Sequence, residues 1–226
     1  MEFVKTNLES RINHLSEEEQ KEPVKVIYEL FDYSSLYHLR IYLWRYLKAT
    51  ASPIGWHQMR QPLDAVVLQQ RLEKLMEGCW LLLQEKEARD GEVNIPYFSP
   101  GTAEWMEDDR HMHLEYDDIE LEYGASIQRL RQRELNYPVL VLKNFFNTLP
   151  LEGWKSLFNE WTEYALSSTS LFQDTENYDL LLHYEQLERL LEVAYYFKLL
   201  LVAGEDILSD VSEQDEESTE TETSAT

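Results

Sequence analysis

The sequence predicts an all-α fold, a helical bundle, on three observations. Apolar residues recur at spacings of three and four over most of the chain. Gly and Pro number only seven each, which disfavours a turn-rich β architecture. Leu, Glu, Gln, Lys and Arg, all good helix formers, are abundant. With 226 residues, 43 % of them hydrophobic, the chain can bury one sizeable core or two small ones.

The first pattern follows Pro23, whose fixed φ suits the start of a helix, and places Val24, Ile27, Leu30 and Phe31 on one face. Ser34 or Ser35 then offers a side-chain oxygen to the free N–H groups of a second helix. That helix carries Leu36, Leu39, Leu43, Tyr46 and Leu47 and ends at Pro53 and Gly55. Pro62 opens a longer helix with a stripe of Val66, Leu72, Leu75, Met76, Cys79 and Leu82, stopped by Gly91.

From Glu92 to Gly124 the pattern lapses into Pro96, Pro100, Gly101 and many acids, an irregular insertion with room for a short strand over His113–Tyr123. Helical spacing returns over Ile127–Leu135, after Pro138, and after Pro150 through Trp154, Leu157, Phe158, Trp161 and Ala165. The last helix is expected to start near Asp174 or Thr175 and to run through Leu180, Tyr184, Leu187, Leu191, Ala194 and Leu201 to Gly204. The organisation expected is a helical unit over 1–91, an acidic insertion over 92–124, a second helical unit over 125–204 and an acidic tail over 205–226. That tail, rich in Ser, Thr and Glu, buries too little apolar surface to offset its ordering entropy and is expected to be disordered.

Setting Val24 against Val139 and advancing without gaps matches Val26 to Val141, Phe31 to Phe146, Leu36 to Leu151, Arg40 to Lys155 and Asp64 to Asp179. In the same register LEKLMEGCW, Leu72 to Trp80, falls on LERLLEVAY, Leu187 to Tyr195. The expectation is two related three-helix units. Cys79, opposite Ala194, is then a small core residue, and a cleft between the units is the natural binding surface.

The segment FFNTLPLEGWKSLFNEWTEYALSS followed by HYEQLERLLEVAYYF resembles uncharacterised helical proteins of Bacteroidetes bacteria, over about residues 139–200. The residues that carry the resemblance are packing residues. It implies a bacterial cytoplasmic setting and no activity.

Composition narrows the function classes. The formal charge is −23, and the tail from Glu205 holds nine acids without a Lys or Arg, so −14 remains on residues 1–204. Such a field repels phosphates and anionic lipids, which argues against direct nucleic-acid or membrane-surface binding and favours a basic protein partner. The longest apolar stretch, Val193–Ala203, contains Lys198 and is too short to span a bilayer. The lone Cys79 cannot form an intramolecular disulfide, and the N-terminus lacks the apolar core of a signal peptide, so a cytoplasmic location is expected.

No Gly-rich phosphate loop, Gly-x-Ser-x-Gly elbow, His-Glu-x-x-His pair or Cys-x-x-Cys is present, so no catalytic residue and no cofactor is predicted. His111 and His113, with Asp109 and Glu115, are the candidate metal ligands; a solvated acidic loop accounts for the same residues. Arg129, Arg131 and Arg133 form the densest basic run, with Arg129 and Arg133 on one helical face, positioned to neutralise the neighbouring acids. Most of the aromatics are expected in the core. Trp44, off the Leu36, Leu39, Leu43 stripe, and Tyr42 are the candidate partner-binding residues.

The leading expectation is a non-enzymatic helical interaction or adaptor protein. The alternatives are an acidic mimic of nucleic acid that occupies a basic DNA- or RNA-binding protein, and an enzyme with a site in the cleft between the units.

Overall fold

In a computed structural model the described residues are 12–53, 55–56, 61–90, 126–171 and 179–204. They form eight α-helices and no strand, as the periodicity predicts. The helices are α1 (Glu17–Lys21), α2 (Val24–Tyr33), α3 (Leu36–Ala51), α4 (Pro62–Asp90), α5 (Gln132–Asn136), α6 (Val139–Thr148), α7 (Leu151–Leu166) and α8 (Leu180–Ala203). The insertion over 92–124 and the tail over 205–226 lie outside the described residues.

Local chemistry sets the helix starts. Ser35 caps α3 by accepting the His38 N–H at 3.4 Å. Pro23 and Pro138 precede α2 and α6 at φ −60° and −64°, the value their rings impose. At the other end, Gly204 sits at φ 80°, where a side chain would be strained, and its N–H closes α8 on the Leu200 and Leu201 carbonyls.

The short α1 has no counterpart in the sequence expectations. It is fixed by a reciprocal cap: Ser16 Oγ accepts the Glu19 N–H at 3.3 Å and the Glu19 carboxylate accepts the Ser16 N–H at 2.8 Å. Burial raises the proton affinity of Glu19, but the Lys74 ammonium and the Ser16 donors outweigh it and hold the carboxyl below its usual range.

The expected helix over Ile127–Leu135 is shorter than predicted. Only Gln132 onward is helical, and residues 126–131 form an open strap. The cause is an acceptor the periodicity does not reveal: the N–H groups of Arg129 and Leu130 donate to Glu192 at 2.6 and 3.1 Å. Arg129 and Arg133 therefore share no helical face, since Arg129 belongs to the strap and Arg133 to α5. The last helix begins at Leu180 with Asp179 at its N-cap, while Asp174 and Thr175 lie outside the described residues.

Packing is exchanged between the halves of the chain. α3 lies against α7 across the middle. α4 rests on α7 and α8 rests on α3, so each long helix packs on the second helix of the other half. α2 leans on α4 and α6 on α8, α2 also meets α8 and α6 meets α4, and the short α1 and α5 pack on α2 and α6. The bounds of α1, α2 and α3 coincide with those of α5, α6 and α7 under the displacement that sets Val24 on Val139.

One continuous apolar cluster results, drawing on both halves. Tyr46, Trp56, Phe158 and Trp161 meet at its centre with ring centroids about 6 Å apart. Gly78 lets α4 approach α2 closely, because a Cβ there would stand 3.2 Å from Val26 Cβ. Cys79 is buried beside it, and burial pushes its thiol up to about 12. Iodoacetamide at about pH 8 is therefore expected to leave Cys79 unmodified in the native chain and to alkylate it rapidly in denaturant. Mass spectrometry reads the difference, and fast modification of the folded protein would contradict this packing of α4.

Candidate functional site

The boundary between the halves is packed with side chains among the described residues. Tyr46 donates its hydroxyl to the Phe158 carbonyl at 3.1 Å and meets Thr162, while Thr50 donates to the Trp161 carbonyl at 3.1 Å. Burial drives the Tyr46 phenol strongly upward, so this hydroxyl serves as a neutral donor.

Two glutamates lie deepest. Glu77 on α4 and Glu192 on α8 are both fully buried, and each is held from two sides. Glu77 accepts the N–H groups of Asn13 and His14 at 2.8 Å each and pairs with Lys155 at 2.6 Å. Glu192 accepts the strap N–H groups and pairs with Arg40, whose other nitrogen donates to the Ser126 carbonyl at 3.0 Å. The countercharge comes crosswise, from α7 to α4 and from α3 to α8. A carboxylate so buried needs both a cation and donors for its lone pairs, and here each has both.

One turn earlier on each long helix a second carboxylate faces the same strap. Glu73 meets His14 Nε2 at 2.6 Å and accepts from Gln69 at 2.8 Å, and Gln69 also donates to Asn159 at 2.7 Å. Glu188 meets Arg129 at 3.1 Å and accepts the Tyr184 hydroxyl at 2.8 Å. Burial, followed by the Glu188 carboxylate as acceptor and neighbouring charge, pushes the Tyr184 phenol upward. The edge of Tyr184 then meets Trp44, with ring centroids 5.6 Å apart. Gln69 and Asn159 thus occupy on one side the places that Tyr184 and Trp44 occupy on the other.

These carboxylates anchor the N-terminal strap and the strap over 126–131, and every one is engaged by donors. Glu77 and Glu192 have no exposed surface, and their oxygens are taken up by backbone N–H groups and a cation, an arrangement that ties straps to helices. The half-buried His183 ring packs edge-on against Trp154 at 5.5 Å, and desolvation lowers its proton affinity despite Asp179 nearby.

Of the residues predicted to bind a partner, Trp44 is 47 % exposed on the outer face of α3. Tyr42 is partly buried and stacks with His38 at 6.4 Å, lining an open groove with Phe31, Tyr33 and Ser35. Two residues along a helix turn the chain by about 200°, so Trp44 and Tyr42 face opposite ways and form two surfaces. Tyr37 is exposed, whereas Tyr46, Trp154 and Trp161 are fully buried. The candidate metal ligands Asp109, His111, His113 and Glu115 lie outside the described residues. Among the described residues no group of three or more His, Cys, Asp or Glu side chains is placed to hold a metal ion. Nor is any described helix long and apolar enough to cross a membrane.

In comparisons with protein families, curated proteins and solved structures, nothing matches this chain.

Proposed function

We propose that the chain is a non-enzymatic interaction protein that docks a basic protein partner in a bacterial cytoplasm, with Trp44 as an anchor. The observation that carries this reading is the half-exposed indole of Trp44 at a position where the fold is content with Asn159. A large aromatic ring held in water at a replaceable position is costly to solubility and valuable to a partner that covers it. The net charge of −23 favours a cationic partner and speeds its approach.

Mimicry of nucleic acid is the second reading, and the same charge favours it. Many of the described cations serve buried or half-buried carboxylates, as Arg40, Lys74, Lys155 and Arg189 do. The remaining exposed acids are then left to face solvent.

Full-length protein and Trp44→Ala, immobilised side by side at moderate salt, separate these readings. The expected result is a basic protein retained by the parent and lost from the variant, at an unchanged thermal midpoint. Binding that collapses with salt, is displaced by duplex DNA and ignores Trp44 would point to mimicry. Retention of nothing, together with turnover of a small molecule, would replace both by an enzyme.

A further inference from the structure

The joint between α2 and α3 opens a groove of about 350 Å³, lined by Phe31, Tyr33, His38 and Tyr42 together with Asp32 and two serines. The joint between α6 and α7 follows the same backbone. Ser34 and Leu149 stand at φ, ψ of −151°, 138° and −142°, 140°, and Ser35 and Pro150 at −66°, 156° and −64°, 164°. The side chains diverge. Asn147, Thr148, Gly153 and Leu157 stand where the first joint has Asp32, Tyr33, His38 and Tyr42.

At the second joint Leu157 is buried and Leu149 packs against the core. The same turn therefore folds without the carboxylate, the tyrosines or the imidazole. Those groups are dispensable to the backbone they sit on, and their concentration at one joint calls for an explanation outside the fold.

Their chemistry suggests one. Tyr33 is 58 % exposed, and its ring holds the Arg71 guanidinium 3.3 Å from the centroid, an internal example of what such a ring attracts. Asp32 receives the Lys198 ammonium at 3.3 Å on one oxygen yet stays 74 % exposed, leaving room for a second donor. His38 and Tyr42 add a stacked pair beside them.

We infer that this groove receives an arginine or lysine side chain from a basic protein segment, with the aromatic rings packing on the cation and its stem and Asp32 supplying the countercharge. The inference rests on the interaction reading above and gives that partner a recognition chemistry. An acidic chain steers such a segment inward, and the groove supplies the short-range selection.

The test uses the full chain at about 0.15 M salt, where long-range attraction is largely screened. The probe is an amidated Gly–Arg repeat peptide, and the control is its Gly–citrulline isostere, which lacks the charge. Backbone amide resonances of Ser34, Ser35 and His38 are followed by NMR. The Arg peptide is expected to shift them and the citrulline peptide to leave them in place.

Asp32→Asn should weaken binding by about threefold, the scale of an exposed ion pair. Asp32→Asn with Tyr33→Thr and Tyr42→Leu should weaken it by about tenfold. Each replacement is the residue found at the second joint, so the fold is expected to persist. Should the triple variant lose its structure, Asp32→Asn alone decides, because Asp32 is exposed. Equal shifts with citrulline, or an affinity indifferent to Asp32→Asn with shifts confined to other acidic residues, would overturn the inference. If the groove fails while capture through Trp44 persists, only the groove assignment falls; loss of both removes the interaction reading.

Discussion

Replacing Lys155 by methionine is expected to destabilise the protein by about 3–5 kcal/mol, the cost of leaving a buried charge without its partner. Lys155 reaches across from α7 to Glu77 at 2.6 Å, and the Glu77 side chain has no exposed surface. In Lys155→Met the carboxylate keeps the Asn13 and His14 N–H groups but loses its ammonium partner. Adding Glu77→Gln to that variant should recover part of the loss, since a neutral amide needs no countercharge, although its NH₂ then faces one strap donor. Urea unfolding of the parent, both single variants and the double variant gives the coupling directly. A loss below about 1 kcal/mol for Lys155→Met would place the pair among surface ion pairs and show that the strap donors alone satisfy Glu77.

Truncating Trp154 to alanine should cost a similar amount, about 3–5 kcal/mol, for a different reason. Trp154 is fully buried, lies flat on Phe145 with centroids 4.1 Å apart and planes 5° from parallel, and donates its indole N–H to the Phe145 carbonyl at 3.1 Å. The alanine leaves a cavity between α6, α7 and α8 and takes one of two donors from the Phe145 carbonyl, which keeps the Leu149 N–H at 3.4 Å. Calorimetry should show a single transition at lower temperature. A cost under about 2 kcal/mol would mean that the surrounding helices collapse into the space.

The helical elements were legible because their signals are local. Ser35 as a cap, Pro23 and Pro138 before helices, and the stripe through Leu72 and Leu82 need only neighbours within a few turns. The straps were not legible, because what holds residues 12–15 and 126–131 is an acceptor on a distant helix. Ser16 and Glu19, by contrast, carried a readable capping signal three residues apart that apolar periodicity alone does not see.

The buried carboxylates are the instructive case. On hydropathy, Glu73, Glu77, Glu188 and Glu192 look like solvent-facing residues. Yet LEKLMEGCW and LERLLEVAY place identical glutamates at both positions, Glu73 with Glu188 and Glu77 with Glu192. An acid retained inside an otherwise apolar alignment was the available signal. Trp44 was legible as an aromatic off the stripe, and its two-residue spacing from Tyr42 already set the two on opposite faces; their neighbours, Tyr184 and His38, were beyond the reach of spacing.

The crosswise ion pairs also bear on synthesis. Arg40 finds Glu192 across 152 residues of chain, and α3 gains its long-helix neighbour only when α8 exists. A nascent chain leaving the ribosome has Glu77 before Lys155 and Arg40 before Glu192, so its first half holds unmatched charges and an uncovered apolar face until the final helix emerges. Contacts this distant slow the search for the native state and tie its completion to the emergence of α8. Stalled or truncated products therefore expose core residues such as Leu43 and Leu47, the kind of surface that chaperones and proteases recognise.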